Sequence, residues 1–194
     1  IMGRINSFDE LKKAVDLNEE MIDQATNFIQ QHYKNFSSMS WVYSCGAGAN
    51  YGTALESALK MGETIHIPSC CYEIEEYIHG PNLQLTPQYN VIFFDGNDGA
   101  SRRVEQVYKA TRKVTNRAYL ISNNPQLSRD GHVLSLSDTV SSELSPLVYL
   151  PFVQLLSFIV SNDLHSIYQH PLLKEFKAIA AAKTENFVNY DGDD

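Results

Sequence analysis

ALESALKMGETIHIPSCCYEIEEYIHGP, residues 54–81, carries five glutamates, one lysine and two histidines among apolar residues. Just upstream, Trp41-Val-Tyr-Ser-Cys45 is a short apolar run that ends at Gly46-Ala-Gly48. That pattern reads as a buried strand entering a glycine turn. Tyr51 to Met61 then reads as a helix stopped by Gly62. Thr64-Ile-His-Ile67, ahead of Pro68, reads as a short strand. Cys70 to Ile78 reads as a second helical piece, ended by Gly80-Pro81. Strand, helix, strand and helix in succession point to an α/β domain.

The same alternation extends outward. Ser7-Phe-Asp-Glu10 is a capping box that predicts a helix start. Phe8, Leu11, Val15, Ile22, Ala25 and Ile29 keep a helical period to about His32. Asn90 to Phe94 predicts a buried strand, Asp95 to Gly99 a loop, and Val104 to Val114 a helix. Further strands are expected at Arg117–Ile121 and His132–Ser135, and helices at Leu144–Val160 and Leu172–Lys183. The expected fold is a three-layer α-β-α sandwich with a mostly parallel five-stranded sheet, flavodoxin-like in layout. One domain spans 1–194, with an N-terminal helix at 7–33, an α/β core at about 39–140 and C-terminal helices at about 144–185. Such sheets bind ligands beyond the carboxyl ends of their strands, and Gly46-Ala-Gly48 lies at such an end.

Composition narrows the partners. The 194 residues are 43% hydrophobic and 20% charged, with a formal net charge of -8. That balance argues against nucleic-acid and anionic-membrane surfaces, which select for Lys and Arg. Any phosphorylated ligand must be held locally, against the mean field. Cys45, Cys70 and Cys71 form no CxxC pattern and no disulfide framework, which suits thiols in a reducing cytoplasm. No secretory signal is legible at the N-terminus. Leu147 to Val160 is the most apolar segment, yet it is shorter than the roughly 20 residues a bilayer span needs. A core helix is the expectation there. His66, His132, His165 and His170 show no metal-ligand spacing, so no metal site is expected.

Glu56, Lys60 and Glu63 are spaced i, i+4, i+7 and share one face of a helix. Spacing alone favours a surface ion pair, worth roughly 0.3–0.5 kcal/mol. The other reading is an active site. Moving a proton between adjacent sugar carbons needs a base that takes and returns it, and a tuned carboxylate does this. Ring opening needs a second acid–base group, for which imidazole is suited, and His79 is available in kind.

These residues resemble a known family. The glycine turn, Ala-Leu-Glu56, Ala-Leu-Lys60, the acidic Glu63 and Glu76-Tyr-Ile-His79-Gly-Pro81 are similar in order and spacing to the second sugar-isomerase (SIS) domain of phosphosugar isomerases. The likeness is to the isomerase part of glucosamine-6-phosphate synthase and to fructosamine-6-phosphate deglycases. It continues more weakly through PLVYLPFVQLLSFIVSNDL, and so covers most of the chain after about Ser40. The resemblance implies that Glu63 shuttles the proton between C1 and C2 and that His79 assists ring opening from a neighbouring subunit. It implies that Glu56 and Lys60 line the same site, that Glu76 supports His79, and that Gly46, Gly48 and Asn50 contribute to substrate binding. A lysine near the C-terminus also belongs to the family's site; Lys183 is the candidate, with Lys174 and Lys177 as competitors. No metal or organic cofactor is implied.

The departures matter equally. The family's first SIS domain grips the phosphate with a Ser/Thr-rich loop, whereas the equivalent loop here is Asp95-Gly-Asn-Asp-Gly-Ala-Ser101. Two aspartates repel a phosphate, so this loop is not expected to cradle one. The pattern therefore fits a C-terminal half whose phosphate site lies on a first SIS domain, on a longer chain or a separate one. A sugar-phosphate ligand and a homodimer or higher oligomer are the expected partners, the oligomer partly because Leu144–Val160 looks too apolar to face water. The alternative is a regulatory or assembly SIS module that binds without catalysis.

Overall fold

The computed structural model describes residues 8–166. The helix expected at Leu172–Lys183, the acidic tail and Ser7 of the capping box lie outside the described residues. Phe8–Gln31 forms α1, and Tyr33–Ser37 adds a short α2 that the sequence pattern did not signal. The strands are Val42–Gly46 (β1), Ser69–Glu73 (β2), Asn90–Asp95 (β3), Ala118–Ser122 (β4) and Val133–Ser135 (β5). Between and after them lie Asn50–Lys60 (α3), Ile74–Ile78 (α4), Ser101–Thr111 (α5) and Ser145–Asp163 (α6).

Every pairing is parallel and the strand order is β2-β1-β3-β4-β5. The order reverses between β1 and β3, which makes that crevice the topological switch point. Alternate side chains separate the two faces of the sheet. Val42, Ile92, Phe94, Tyr119, Ile121 and Leu134 pack under α1, α3 and α6. Tyr43, Cys45, Val91, Phe93, Leu120 and Val133 pack under α4 and α5. The expected three-layer α-β-α sandwich is the observed one, with a sheet that is wholly parallel.

Three expectations are corrected. The first concerns α1, whose buried face is Ala14, Leu17, Met21, Ala25, Phe28 and Ile29. Phe8, Leu11, Val15 and Ile22 lie on an exposed stripe instead. Both stripes have helical spacing, and only the placement of α6 and the sheet selects between them.

The second concerns residues 62–73. Gly62 does not end the helix, which continues as one wide π turn over Met61–Ile65. Met61 and Ile65 bury their side chains there, and the chain leaves the helix at His66, whose φ is 63°. The strand expected at Thr64–Ile67 is therefore absent. The carbonyl of Pro68 accepts from the Val42 N–H at 3.2 Å, and this pairing starts β2 at Ser69. Only Ile74–Ile78 of the expected Cys70–Ile78 helix is helical. Glu73 caps it by accepting from the Glu75 N–H at 2.6 Å.

The third concerns α6. It runs for 19 residues, long and apolar enough by length and composition to cross a bilayer. Its side chains Val148, Tyr149, Phe152, Val153, Leu156 and Val160 are instead fully enclosed, mainly by α1, α3 and the sheet. Each such side chain contributes roughly 1.5–3 kcal/mol by burial. Much of α6 is thus a core helix within its own chain, as expected, while Leu147 and Phe158 stay exposed.

Candidate active site

The site residues hang on α3, so its anchoring comes first. A Cβ on Gly46 would stand 2.3 Å from the Asn50 carbonyl oxygen, so only glycine lets β1 turn this tightly into α3. Gly48 has φ +55°, in the left-handed region. Asn50 is buried; its Nδ2 donates to Ser145 Oγ at 2.7 Å and its Oδ1 accepts from Thr53 Oγ1 at 3.0 Å. These three residues lock the upper end of α3 to β1 and α6.

The charged residues lie at the other end. The 11 residues of α3 separate Asn50 from Lys60 by about 15 Å. Lys60 Nζ stands 2.9 Å from Glu63 Oε2 and 3.5 Å from Glu56 Oε1. The hydrogen bond to Glu63, helped by Glu56, outweighs partial burial and holds the ammonium above its ordinary pKa. Lys60 is thus a fixed positive charge between two carboxylates. Glu63 projects from the π turn, a local widening often found at functional sites. Thr64 Oγ1 donates to the Lys60 carbonyl at 2.8 Å, and Ser69 Oγ donates to the Ala58 carbonyl at 2.6 Å. Together they fasten the turn to edge strand β2.

Beside Glu63 opens a depression of about 480 Å³, lined by Ala58, Leu59, Gly62, Glu63, Ser69 and Cys71. Cys71 and Ser69 were not singled out as site residues by sequence reasoning, because Cys71 read there as helix and Ser69 fell between the expected elements. The chain after α6 also returns to this place, where Ser166 Oγ donates to the Thr64 carbonyl at 2.6 Å. Lys183, Lys174 and Lys177 lie outside the described residues.

His79 is elsewhere. It ends α4, which packs on the opposite face of the sheet from α3. The helices that lead to Glu63 and His79 therefore lie on opposite faces of the sheet. The His79 N–H donates to the Glu76 carbonyl at 3.1 Å, while the Glu76 side chain accepts from the Glu73 N–H at 3.4 Å within the α4 cap. Near it, Arg103 grips Glu75 with two hydrogen bonds of 2.6 and 3.0 Å. That grip, with His79 contributing, holds the Glu75 carboxyl below its ordinary range.

The loop after β3 uses its own acids. Asp95 is buried and accepts from Ser101 Oγ, from Ser122 Oγ at 2.8 Å and from the Asn97 N–H at 3.1 Å. Asp98 accepts from the Ala100 N–H at 2.8 Å, and the Asp98 N–H donates to Ser101 Oγ at 2.7 Å. The Ser101 and Ser122 hydroxyls and the Asn97 and Ala100 N–H groups, donors that could hold an anion here, are thus engaged by built-in carboxylates. Among the described residues, no group of three or more His, Cys, Asp or Glu side chains is placed to hold a metal ion.

No family model matches the chain. It is similar to the glutamine–fructose-6-phosphate aminotransferase (isomerizing) of Methanothermobacter thermautotrophicus, with 27% identity over 166 residues, 84% of this chain and 28% of that protein. The Haemophilus influenzae protein of the same name shares 25% over 154 residues, 78% of this chain and 24% of that one. The chain spans about a quarter of the length of these curated relatives. Among solved structures, a Clostridium difficile 630 chain provisionally named a phosphosugar isomerase matches with a TM-score of 0.77 at 21% identity, over 95% of this chain and 54% of that one. The C-terminal domain of glucosamine-fructose-6-phosphate aminotransferase from Francisella tularensis matches with a TM-score of 0.68 at 24% identity, over 79% of this chain and 44% of that one. The chain has the α/β fold of these structures and resembles, over most of its length, the C-terminal sugar-isomerase (SIS) part of glucosamine-fructose-6-phosphate aminotransferase.

Proposed function

We propose that this domain is the catalytic half of a tandem-SIS phosphosugar isomerase or deglycase, acting on a ketose, aldose or aminosugar 6-phosphate. The observation that carries the reading is Lys60, held between Glu56 and Glu63 at the margin of an open depression. In the proposed reaction the Glu63 carboxylate removes a proton from C1 of the open-chain ketose, leaving an enediol or enolamine. It then returns the proton to C2. Lys60 orients that carboxylate, and Glu56 balances the ammonium. His79 of a neighbouring subunit moves the proton at the ring oxygen when the sugar opens. A lysine near the C-terminus, for which Lys183 is the candidate, belongs to the same reading.

The phosphate site belongs, in this reading, to another SIS domain. The engaged donors of the Asp95–Ser101 loop support that placement. The same loop favours the second reading, a regulatory or assembly module without catalysis, because a domain lacking its own anion cradle can also serve only to assemble. Proton exchange separates the two. The protein is incubated in heavy water with fructose 6-phosphate, glucosamine 6-phosphate and a fructosamine 6-phosphate, alone and joined to a phosphate-binding SIS domain. NMR then reads deuterium at C1 and C2. Wash-in that disappears in Glu63→Gln, while sugar-phosphate binding persists, is the expected result. Wash-in in neither form, or undiminished wash-in in the variant, overturns the role of Glu63.

A further inference from the structure

Glu63 is preceded by Gly62, the one glycine of the π turn Met61–Ile65. Glycine needs a reason there. Alanine is favoured over glycine inside a helix, and Gly62 does not have the left-handed φ that would call for glycine. What the structure shows at Gly62 is a need for space. A Cβ on Gly62 would stand 3.1 Å from Ser69 Oγ, closer than ordinary van der Waals contact. That hydroxyl is the one that donates to the Ala58 carbonyl at 2.6 Å. With a Cβ at position 62, either the hydroxyl leaves this bond or the turn moves away from β2.

Three hydroxyl groups attach to the backbone around Glu63. Ser69 of β2 donates to the Ala58 carbonyl, Thr64 to the Lys60 carbonyl at 2.8 Å, and Ser166, beyond α6, to the Thr64 carbonyl at 2.6 Å. Of the three, the Ser69 bond ties the helix to the sheet. Glu63 lies between Gly62 and Thr64, so a shift of the turn moves the backbone that carries its carboxylate. The 2.9 Å contact of that carboxylate with Lys60 depends on where the turn is held. Gly62 and Ser69 both line the depression beside Glu63.

We propose that Gly62 and Ser69 act as one positioning pair for Glu63. The missing Cβ admits the Ser69 hydroxyl to the Ala58 carbonyl, and that bond fixes the turn so that the Glu63 carboxylate stays on Lys60 at the margin of the depression. Neither residue is given a chemical step. The pair deepens the proposed function and rests on its reading of Glu63 as the base.

Lys60 reports on the carboxylate without any substrate, because its hydrogen bond to Glu63 is the chief cause of its raised pKa. The test is an NMR titration of the Lys60 ammonium in the full chain. Ser69→Ala and Gly62→Ala are each expected to lower that pKa toward the ordinary lysine value, with unchanged circular dichroism. The double variant is expected to go no lower than either one, since both changes remove the same bond. Ser69→Thr keeps a hydroxyl and is expected to keep the parent's titration. Additive shifts in the double variant, or a Lys60 titration that Ser69→Ala leaves unmoved, overturn the pair. Exchange in heavy water, with the domain joined to a phosphate-binding SIS domain, reads the consequence. Either alanine variant is expected to lower kcat by about tenfold at an unchanged KM, because a misplaced base loses rate and not binding. Exchange that both variants leave at the parental rate overturns the positioning role. No exchange in the parent sinks the base assignment alone, and the Lys60 titration then decides whether the pair holds the carboxylate.

Discussion

Lys60 holds two carboxylates at 2.9 and 3.5 Å, and neither contact alone has much worth at a half-exposed position. Their effect is geometric: the ammonium limits where the Glu63 carboxylate can point. His132 is a different case of neighbours acting on one group. Burial, then Arg112 just after α5 and His32 between α1 and α2, push its imidazole below the ordinary 6.5, against the opposing pull of Asp130. Its ring lies 4.8 Å from that of His32 and stacks on Tyr119 at 5.6 Å. The folded chain thus binds fewer protons than the unfolded one just below pH 6.5, so stability falls as pH drops through that point and levels off below the folded pKa. Urea midpoints measured from about pH 8 down to 5 are expected to decline in the parent and to flatten there in His132→Gln. An identical decline in both proteins would mean that another group sets it.

At the scale of elements, α3 carries the site because β1 can turn into it without a side chain at Gly46. Gly46→Ala places a Cβ against the Asn50 carbonyl, 2.3 Å away, and forces the turn or the helix to shift. The expected cost is roughly 3 kcal/mol in urea denaturation. Parent-like stability would show that the turn yields freely. The legibility of these elements was uneven. Glu56, Lys60 and Glu63 were readable as one helix face, and they do meet. The π turn was not readable, because Gly62 has the chemistry of a helix stop and the burial of Met61 and Ile65 overrides it. In α1 the expected set holds for Ala25 and Ile29, which are buried, while Phe8, Leu11, Val15 and Ile22 lie on an exposed row of the same period.

At the scale of the molecule, α3 and α4, the helices that lead to Glu63 and His79, pack on opposite faces of the sheet. If both act on one sugar, they come from different chains. Mixing Glu63→Gln chains with His79→Asn chains is then expected to restore about a quarter of parental exchange. Half of the reassorted dimers are mixed, and each carries one intact site. Two inactive variants that stay inactive when mixed would place both residues in one chain's site, or His79 outside it.

By itself the sequence determined the α/β class, the parallel sheet and the shared face of Glu56, Lys60 and Glu63. Those depend on local periodicity and on hydrophobic runs, which neighbouring residues settle among themselves. The tertiary structure alone decided which row of α1 is buried, that α6 is covered within the chain, and that Gly46, Gly48 and Asn50 stand at the far end of α3 from Glu63. It alone decided that Asp95 and Asp98 fill their own loop and that α4, which leads to His79, lies across the sheet from α3. Each of these depends on what packs against an element from elsewhere in the chain, and no local pattern encodes that.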